Sequence, residues 1–256
     1  MLIADSPLAT ALCPSPNFGP RKAGLKPTIL LLHYTGLATA AKAIEVLSRA
    51  DCKVSSHYLV DEAGRITQMV AEEARAWHAG VASWGGETDI NSASIGIEIH
   101  NPGHVLGYLD FPHLQMIAVR DLCLDILARN AIRPEGVLAH SDVAPTRKVD
   151  PGEKFDWAWL ARFGVGHWVE APPPGEAGET YTLGDRGPPI AAAQALLRDY
   201  GYGIEPTAEF DELTEFVVRA FQRHFRPAKI DGRIDPSTMA TLERLIEALP
   251  PRHAGA

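Results

Sequence analysis

Three consecutive prolines, Pro172–Pro174, sit in a stretch that also carries Gly164, Gly166, Gly175 and Gly178. Proline fixes φ and lacks an N–H, and glycine weakens regular elements, so neither a helix nor a central strand runs through such a stretch. Residues 164–180 therefore read as a linker. They divide the chain into residues 1–163, a second unit at 181–249, and a short tail at 250–256 expected to fray. A chain of 256 residues has room for one medium and one small domain.

The two sides differ in hydrophobic period. Residues 1–26 are rich in Pro, Gly and Ser and read as an extended segment over the surface. Thr28–Leu32 (TILLL) is an apolar run that predicts a central strand, followed by a helix over Ala40–Ala50 with Thr39 as its cap. Ser56–Val60 and Ile66–Val70 flank a turn at 61–64 and predict a β-hairpin. Ser94–Ile99 (SIGIEI) predicts a strand, Asp110–Asn130 a long helix, Gly136–Ala139 a short strand, and Phe155–Phe163 a closing helix. This order predicts an α/β fold, a mixed β-sheet flanked by helices. Beyond the linker the period is helical throughout, over Ala191–Tyr200, Thr214–His224 and Pro236–Ala248. That predicts a small C-terminal three-helix bundle with a modest core of its own. Asp211 and Asp235 each stand three residues before a Thr at a helix start, an internal echo suited to N-capping.

With 24 basic and 32 acidic residues the formal net charge is −8, which argues against non-specific nucleic-acid binding and against an anionic membrane surface. No apolar run reaches the roughly 20 residues of a membrane helix. The N-terminal stretch lacks a basic region, and Asp5 and Pro7 interrupt its apolar run, so it does not read as a signal peptide. Three widely spaced cysteines, Cys13, Cys52 and Cys123, suit a reducing compartment better than a disulfide framework. Both features predict a cytoplasmic protein.

Chemistry concentrates at strand ends. His140–Pro151 (HSDVAPTRKVDP) follows the short strand and holds His140 and Asp150, with Arg147 and Lys148 between them and Pro145 and Pro151 stiffening the loop. His33 ends the first central strand. Two imidazoles and one carboxylate match a catalytic zinc site that keeps a fourth position open, so His33, His140 and Asp150 are the candidate metal ligands for one Zn2+. Glu98, set among apolar neighbours, is the candidate general base, and Lys148 the candidate stabiliser of a developing oxyanion.

Five blocks, LLLHYTG, VSSHYLVD, AWHAGVASWGG, SIGIEIHNPG and HSDVAPTRKVDPG, occur in this order over residues 25–160. In order and spacing they resemble the zinc-dependent N-acetylmuramoyl-L-alanine amidases of the AmpD-like family. The resemblance implies zinc held by His33, His140 and Asp150, Glu98 as base and Lys148 as transition-state stabiliser. It places Trp77, His78, Asn91 and Arg147 near the substrate groove, with His57 structural and Tyr34 packed beside the metal. The segments LGDRGPPIAAAQALLRDYGY, FDELTEFVVRAFQRHF and IDGRIDPSTMATL resemble a peptidoglycan-binding module. Pro188-Pro189 and Arg226-Pro227 depart from that module's pattern, so docking against the first domain stands beside sugar binding as its role. The implied partners are muropeptides, with no nucleic acid and no membrane. The expected activity is cleavage of the bond between N-acetylmuramic acid, or its 1,6-anhydro form, and L-alanine during peptidoglycan recycling. The alternatives are an exported, periplasmic amidase acting on sacculi and a non-catalytic peptidoglycan receptor.

Overall fold

The computed structural model describes residues 2–22, 24–175 and 177–249, so the predicted tail at 250–256 lies outside the described residues. In chain order the first half contains β1 (Ala11–Leu12), β2 (Phe18–Pro20), β3 (Ile29–Tyr34), α1 (Ala40–Ser48), β4 (Tyr58–Val60), β5 (Ile66–Gln68), β6 (Ala74–Ala76), α2 (Ile90–Ala93), β7 (Ser94–Ile99), α3 (Gly103–Leu106), α4 (His113–Arg129), β8 (Val137–Ala139), α5 (His140–Val143) and α6 (Trp157–Ala161). The second half contains α7 (Pro188–Tyr200), α8 (Glu212–Phe225) and α9 (Pro236–Glu247). The fold is α/β with a mixed sheet, as expected. Its strand order is β1-β5-β4-β7-β3-β8, with β5 antiparallel to β4 and the other pairs parallel.

β3 and β7 are central and buried, which is why they read as nearly continuous apolar runs. Register fixes the faces. Leu30 and Leu32 lie beside Ile95 and Ile97, and this face packs under α4 through Val119, Leu122, Cys123 and Ile126. The opposite face carries Ile29, Leu31 and Leu138, and at its carboxyl end His33 pairs in register with Glu98. Leu32 is opposite Ala139, so His140 leaves β8 level with His33. Carboxyl ends of parallel strands are where open α/β sheets bind ligands.

The N-terminal segment lies extended, as expected, and contributes two short, largely exposed strands. β1 adds to β5 as a parallel edge strand, and β2 pairs with β6 in a second, two-stranded sheet. Arg21 then turns inward and donates to the carbonyls of Glu72, Ser92 and Ser94 at 2.8, 2.7 and 2.9 Å. Burial lowers its pKa to about 10.

The helical half departs from the expectation of a separate core. Ile190, Leu197, Phe221, Phe225 and Leu245 belong to one apolar cluster with Ile29, Leu31, Trp84, Leu138 and Val143. The bundle thus covers the sheet face whose strand ends carry His33 and Glu98. The linker region is pinned as well: Trp168 packs against both cores, and the Pro172 carbonyl accepts from the Ser237 hydroxyl at 2.6 Å. Pro188 and Pro189 open α7, the position where a missing N–H is harmless. Asp211 and Asp235 cap α8 and α9, each accepting from the Thr amide three residues on at 2.8 Å.

Candidate active site

A cavity of about 360 Å³ opens at the carboxyl ends of β3, β7 and β8. Among the residues lining it are His33, Trp77, His78, Glu98, His140, Arg147, Lys148 and Asp150. The His33 and His140 Nδ1 atoms approach to 2.8 Å, and the Asp150 Oδ2 lies 3.0 Å from His140 Nδ1 and 3.3 Å from His33 Nδ1. All three residues are buried.

The far edges of the two rings decide their tautomers. His140 Nε2 donates to the Ala79 carbonyl at 3.0 Å, and a carbonyl can only accept. The Ser94 hydroxyl donates to the Ile90 carbonyl at 2.6 Å, so it accepts from His78 Nε2 at 3.3 Å. His78 Nδ1 is then the acceptor for the His33 Nε2–H at 3.0 Å. Both Nδ1 lone pairs therefore face inward, toward each other and toward a carboxylate. Three electron-pair donors converge with no proton between them, and a bound cation relieves that repulsion. The donor set, two neutral imidazole nitrogens and one carboxylate oxygen with outer-edge hydrogen bonds, is that of a catalytic zinc site.

Charge states follow the same geometry. Burial, reinforced by His140, lowers the His33 pKa to about 4, so the ring is neutral and able to ligate. Burial opposes ionisation of Asp150, and the carboxyl is held below its usual range only where positive charge or donated protons face it, the place a bound cation would take. Burial and then the Asp150 charge raise Glu98 to about 8, with Lys148 acting in the other direction. One Glu98 oxygen, Oε2, is buried without a hydrogen-bond partner.

The remaining candidates divide by position. Half-buried Trp77 lines the cavity, and its amide donates to Ser55 Oγ at 2.9 Å. His78 lines it too, but both its ring nitrogens are engaged in the relay behind His33. Asn91 stands apart from the cavity lining, its Oδ1 capping the amides of His78 and Ala79 at 3.0 and 2.8 Å. Arg147 holds the 79–81 loop, donating to the Val81 carbonyl through Nε at 2.9 Å and to Ala79. His57, expected to be structural, accepts from the Gly96 amide at 2.9 Å. Tyr34 lines the cavity with its hydroxyl 3.0 Å from His104 Nδ1.

The sequence profile of the N-acetylmuramoyl-L-alanine amidase family matches residues 23–153, about half the chain, and a peptidoglycan binding domain profile matches residues 186–242. The chain is 39% identical over 235 residues to the N-acetylmuramoyl-L-alanine amidase AmiD of Escherichia coli, covering 86% of this chain and 82% of AmiD. It belongs to that amidase family. The amidase is also 33% identical over 162 residues to the E. coli 1,6-anhydro-N-acetylmuramyl-L-alanine amidase AmpD, covering 57% of this chain and 86% of AmpD. Two solved structures are similar over nearly the whole chain. E. coli AmiD, in complex with the substrate anhydro-N-acetylmuramic acid-L-Ala-D-gamma-Glu-L-Lys, gives a TM-score of 0.72 at 36% identity over 89% of this chain and 92% of that one. AmpDh3 of Pseudomonas aeruginosa gives 0.75 at 32% identity over 98% of this chain and 100% of that one. The amidase is thus an N-acetylmuramoyl-L-alanine amidase with a C-terminal domain of the peptidoglycan-binding type. Among its described residues no helix is long and apolar enough to cross a membrane.

Proposed function

We propose that this amidase uses one zinc ion, held by His33, His140 and Asp150, to hydrolyse the amide between the lactyl group of 1,6-anhydro-N-acetylmuramic acid and L-alanine. The observation that carries the reading is the convergence of three buried acceptor atoms beside Glu98, the register neighbour of His33. Zinc bound there would lower the pKa of a water and polarise the scissile carbonyl. Glu98 takes the proton of the attacking water and delivers it to the departing L-alanine nitrogen. Its raised pKa suits both roles, because a carboxyl near neutrality accepts and releases a proton with little bias. Lys148, on the rim of the same cavity, places an ammonium beside the negative charge that grows on the carbonyl oxygen. Trp77 offers an apolar wall to the sugar or the peptide. Arg147 keeps the rim loop in place.

The substrate assignment rests on the relatives. AmiD was solved with an anhydromuramyl peptide, and AmpDh3 with an anhydromuramic pentapeptide. A role in recycling soluble muropeptides in the cytoplasm is supported by the three free thiols Cys13, Cys52 and Cys123, which suit a reducing compartment. The test is product analysis by mass spectrometry on soluble anhydromuropeptide and on intact sacculi, with zinc-loaded and chelated protein. Zinc-dependent peptide release from the soluble fragment is the expected result. Efficient stripping of sacculi with little turnover of the fragment would replace recycling with a cell-wall role.

A further inference from the structure

We propose that the C-terminal domain is a working part of the metal loop: His224 and Tyr202 are positioning residues that fix Asp142, and through it the turn that presents His140. For its effect on zinc, this rests on the ligand assignment above. The Asp142 carboxylate is entirely buried, at 0% exposure, and a buried carboxylate persists only with partners. It has three. The Ala139 amide donates to Oδ2 at 2.8 Å, His224 Nδ1 donates to Oδ2 at 2.7 Å, and the Tyr202 hydroxyl donates to Oδ1 at 2.8 Å. Only Ala139 comes from the amidase half; the other two come from the helical domain.

The position of the Ala139 bond is what matters. Ala139 is the last residue of β8 and Asp142 lies in the first turn of α5, so their bond closes a loop around His140. It sets the angle at which the chain leaves the sheet, and with it the direction of the imidazole. The His224 ring cannot turn away from this bond. It is stacked between Trp157 of the amidase half, at 3.9 Å and 25°, and Phe225 of its own helix, at 3.9 Å and 4°. Tyr202 is braced by Trp84 at 4.9 Å. The helical domain therefore does more than cover apolar surface. It supplies two of the three hydrogen bonds to the carboxylate that shapes the metal loop. Without them the carboxylate turns toward water, and the Ala139 bond loosens.

Two substitutions in the full-length protein separate positioning from simple packing. His224→Phe keeps a ring in the stack and deletes the N–H. His224→Asn keeps an N–H at the place of Nδ1 and deletes the ring. Three readouts apply: zinc affinity by chelator competition, hydrogen exchange of the Ala139 amide in metal-free protein, and Tm. Expected for His224→Phe is about a tenfold loss of zinc affinity, in the range known for supporting partners of metal ligands, with faster Ala139 exchange. His224→Asn should hold both readouts within about threefold of wild type while its Tm falls further, because N–H geometry and stacking are separate contributions. Wild-type zinc affinity and exchange in His224→Phe would overturn the proposal. So would losses that follow Tm in both variants. If the wild-type protein holds no zinc, the metal assignment fails on its own, and Ala139 exchange in the two variants then decides the coupling.

Discussion

Two buried glutamines of the helical half contrast with the acceptor cluster of the amidase half. In the helical half Gln194 and Gln222 are buried in α7 and α8, and each carboxamide is closed on the loop that follows its helix. Gln194 Oε1 accepts from the Thr207 and Ala208 amides, both at 3.0 Å, while Nε2 donates to the Glu209 carbonyl and to Thr214 Oγ1, both at 2.9 Å. Gln222 repeats the pattern with Asp231, Gly232, Arg233 and Thr238. At the carboxyl ends of the central strands Glu98 keeps a buried oxygen without a partner, and three acceptor atoms face one another. A polar group whose every donor and acceptor is met holds structure. One left unmet beside a cavity is available for chemistry.

The largest effect should come from emptying the acceptor cluster. Asp150→Ala removes one of the three proposed zinc ligands and should reduce bound zinc to a trace and hydrolysis by roughly a thousandfold or more. Metal content and turnover measured on one preparation check this; full activity with full zinc would remove Asp150 from the site. Next comes Glu98→Gln, which keeps the shape of the side chain and removes its basicity. It should retain zinc and lower kcat by about 10²–10⁴ with KM little changed. A kcat near wild type would assign the base elsewhere. Gln194→Ala should act in the opposite sense. It removes the partner that closes the 207–209 loop and leaves a small cavity, so stability should fall by about 2 kcal/mol in denaturant unfolding while kcat and zinc affinity hold. A matching loss of kcat would erase the contrast between the halves.

How much of this was legible in the sequence follows the same physics. β3 and β7 announced themselves because strands buried on both faces are nearly all apolar, and Glu98 stood out against that run. The Asp-x-x-Thr echo at Asp211 and Asp235 marked two helix starts because capping is local. β1 and β2 did not show: they are two- and three-residue edge strands in a Pro- and Ser-rich stretch, and pairing partners rather than pattern make them strands. Asn91 and His78 were read as groove residues; His78 does line the cavity while its ring also supports His33, and Asn91 meets the backbone amides of His78 and Ala79. The contact of Asp142 with His224 joins residues 82 positions apart, which no local signal reports. One hint existed. On α8, His224 continues the apolar face of Val217, Val218 and Phe221, where an imidazole needs a buried partner.

His57 tests the comparison from between its two poles, because it is a fully satisfied polar group that a proton can unsatisfy. The ring is buried behind His78; Nδ1 accepts from the Gly96 amide and Nε2 donates to the Ala74 carbonyl at 3.1 Å. Burial, aided by the charge of Arg21, lowers its pKa from 6.5 to about 3. Between those values the unfolded chain binds a proton that the folded chain refuses. Stability is therefore complete above pH 6.5 and is lost as pH falls toward 3. The linkage gives a loss of about 2 kcal/mol between pH 7 and pH 5 from this residue. His57→Asn keeps an acceptor for Gly96 and cannot titrate, so metal-free protein carrying it should show a flatter acid limb by that amount in urea unfolding at the two pH values. Parallel limbs for the two proteins would mean that His57 is protonated in the fold, and that the bond to Gly96 is not what holds the strand behind the site.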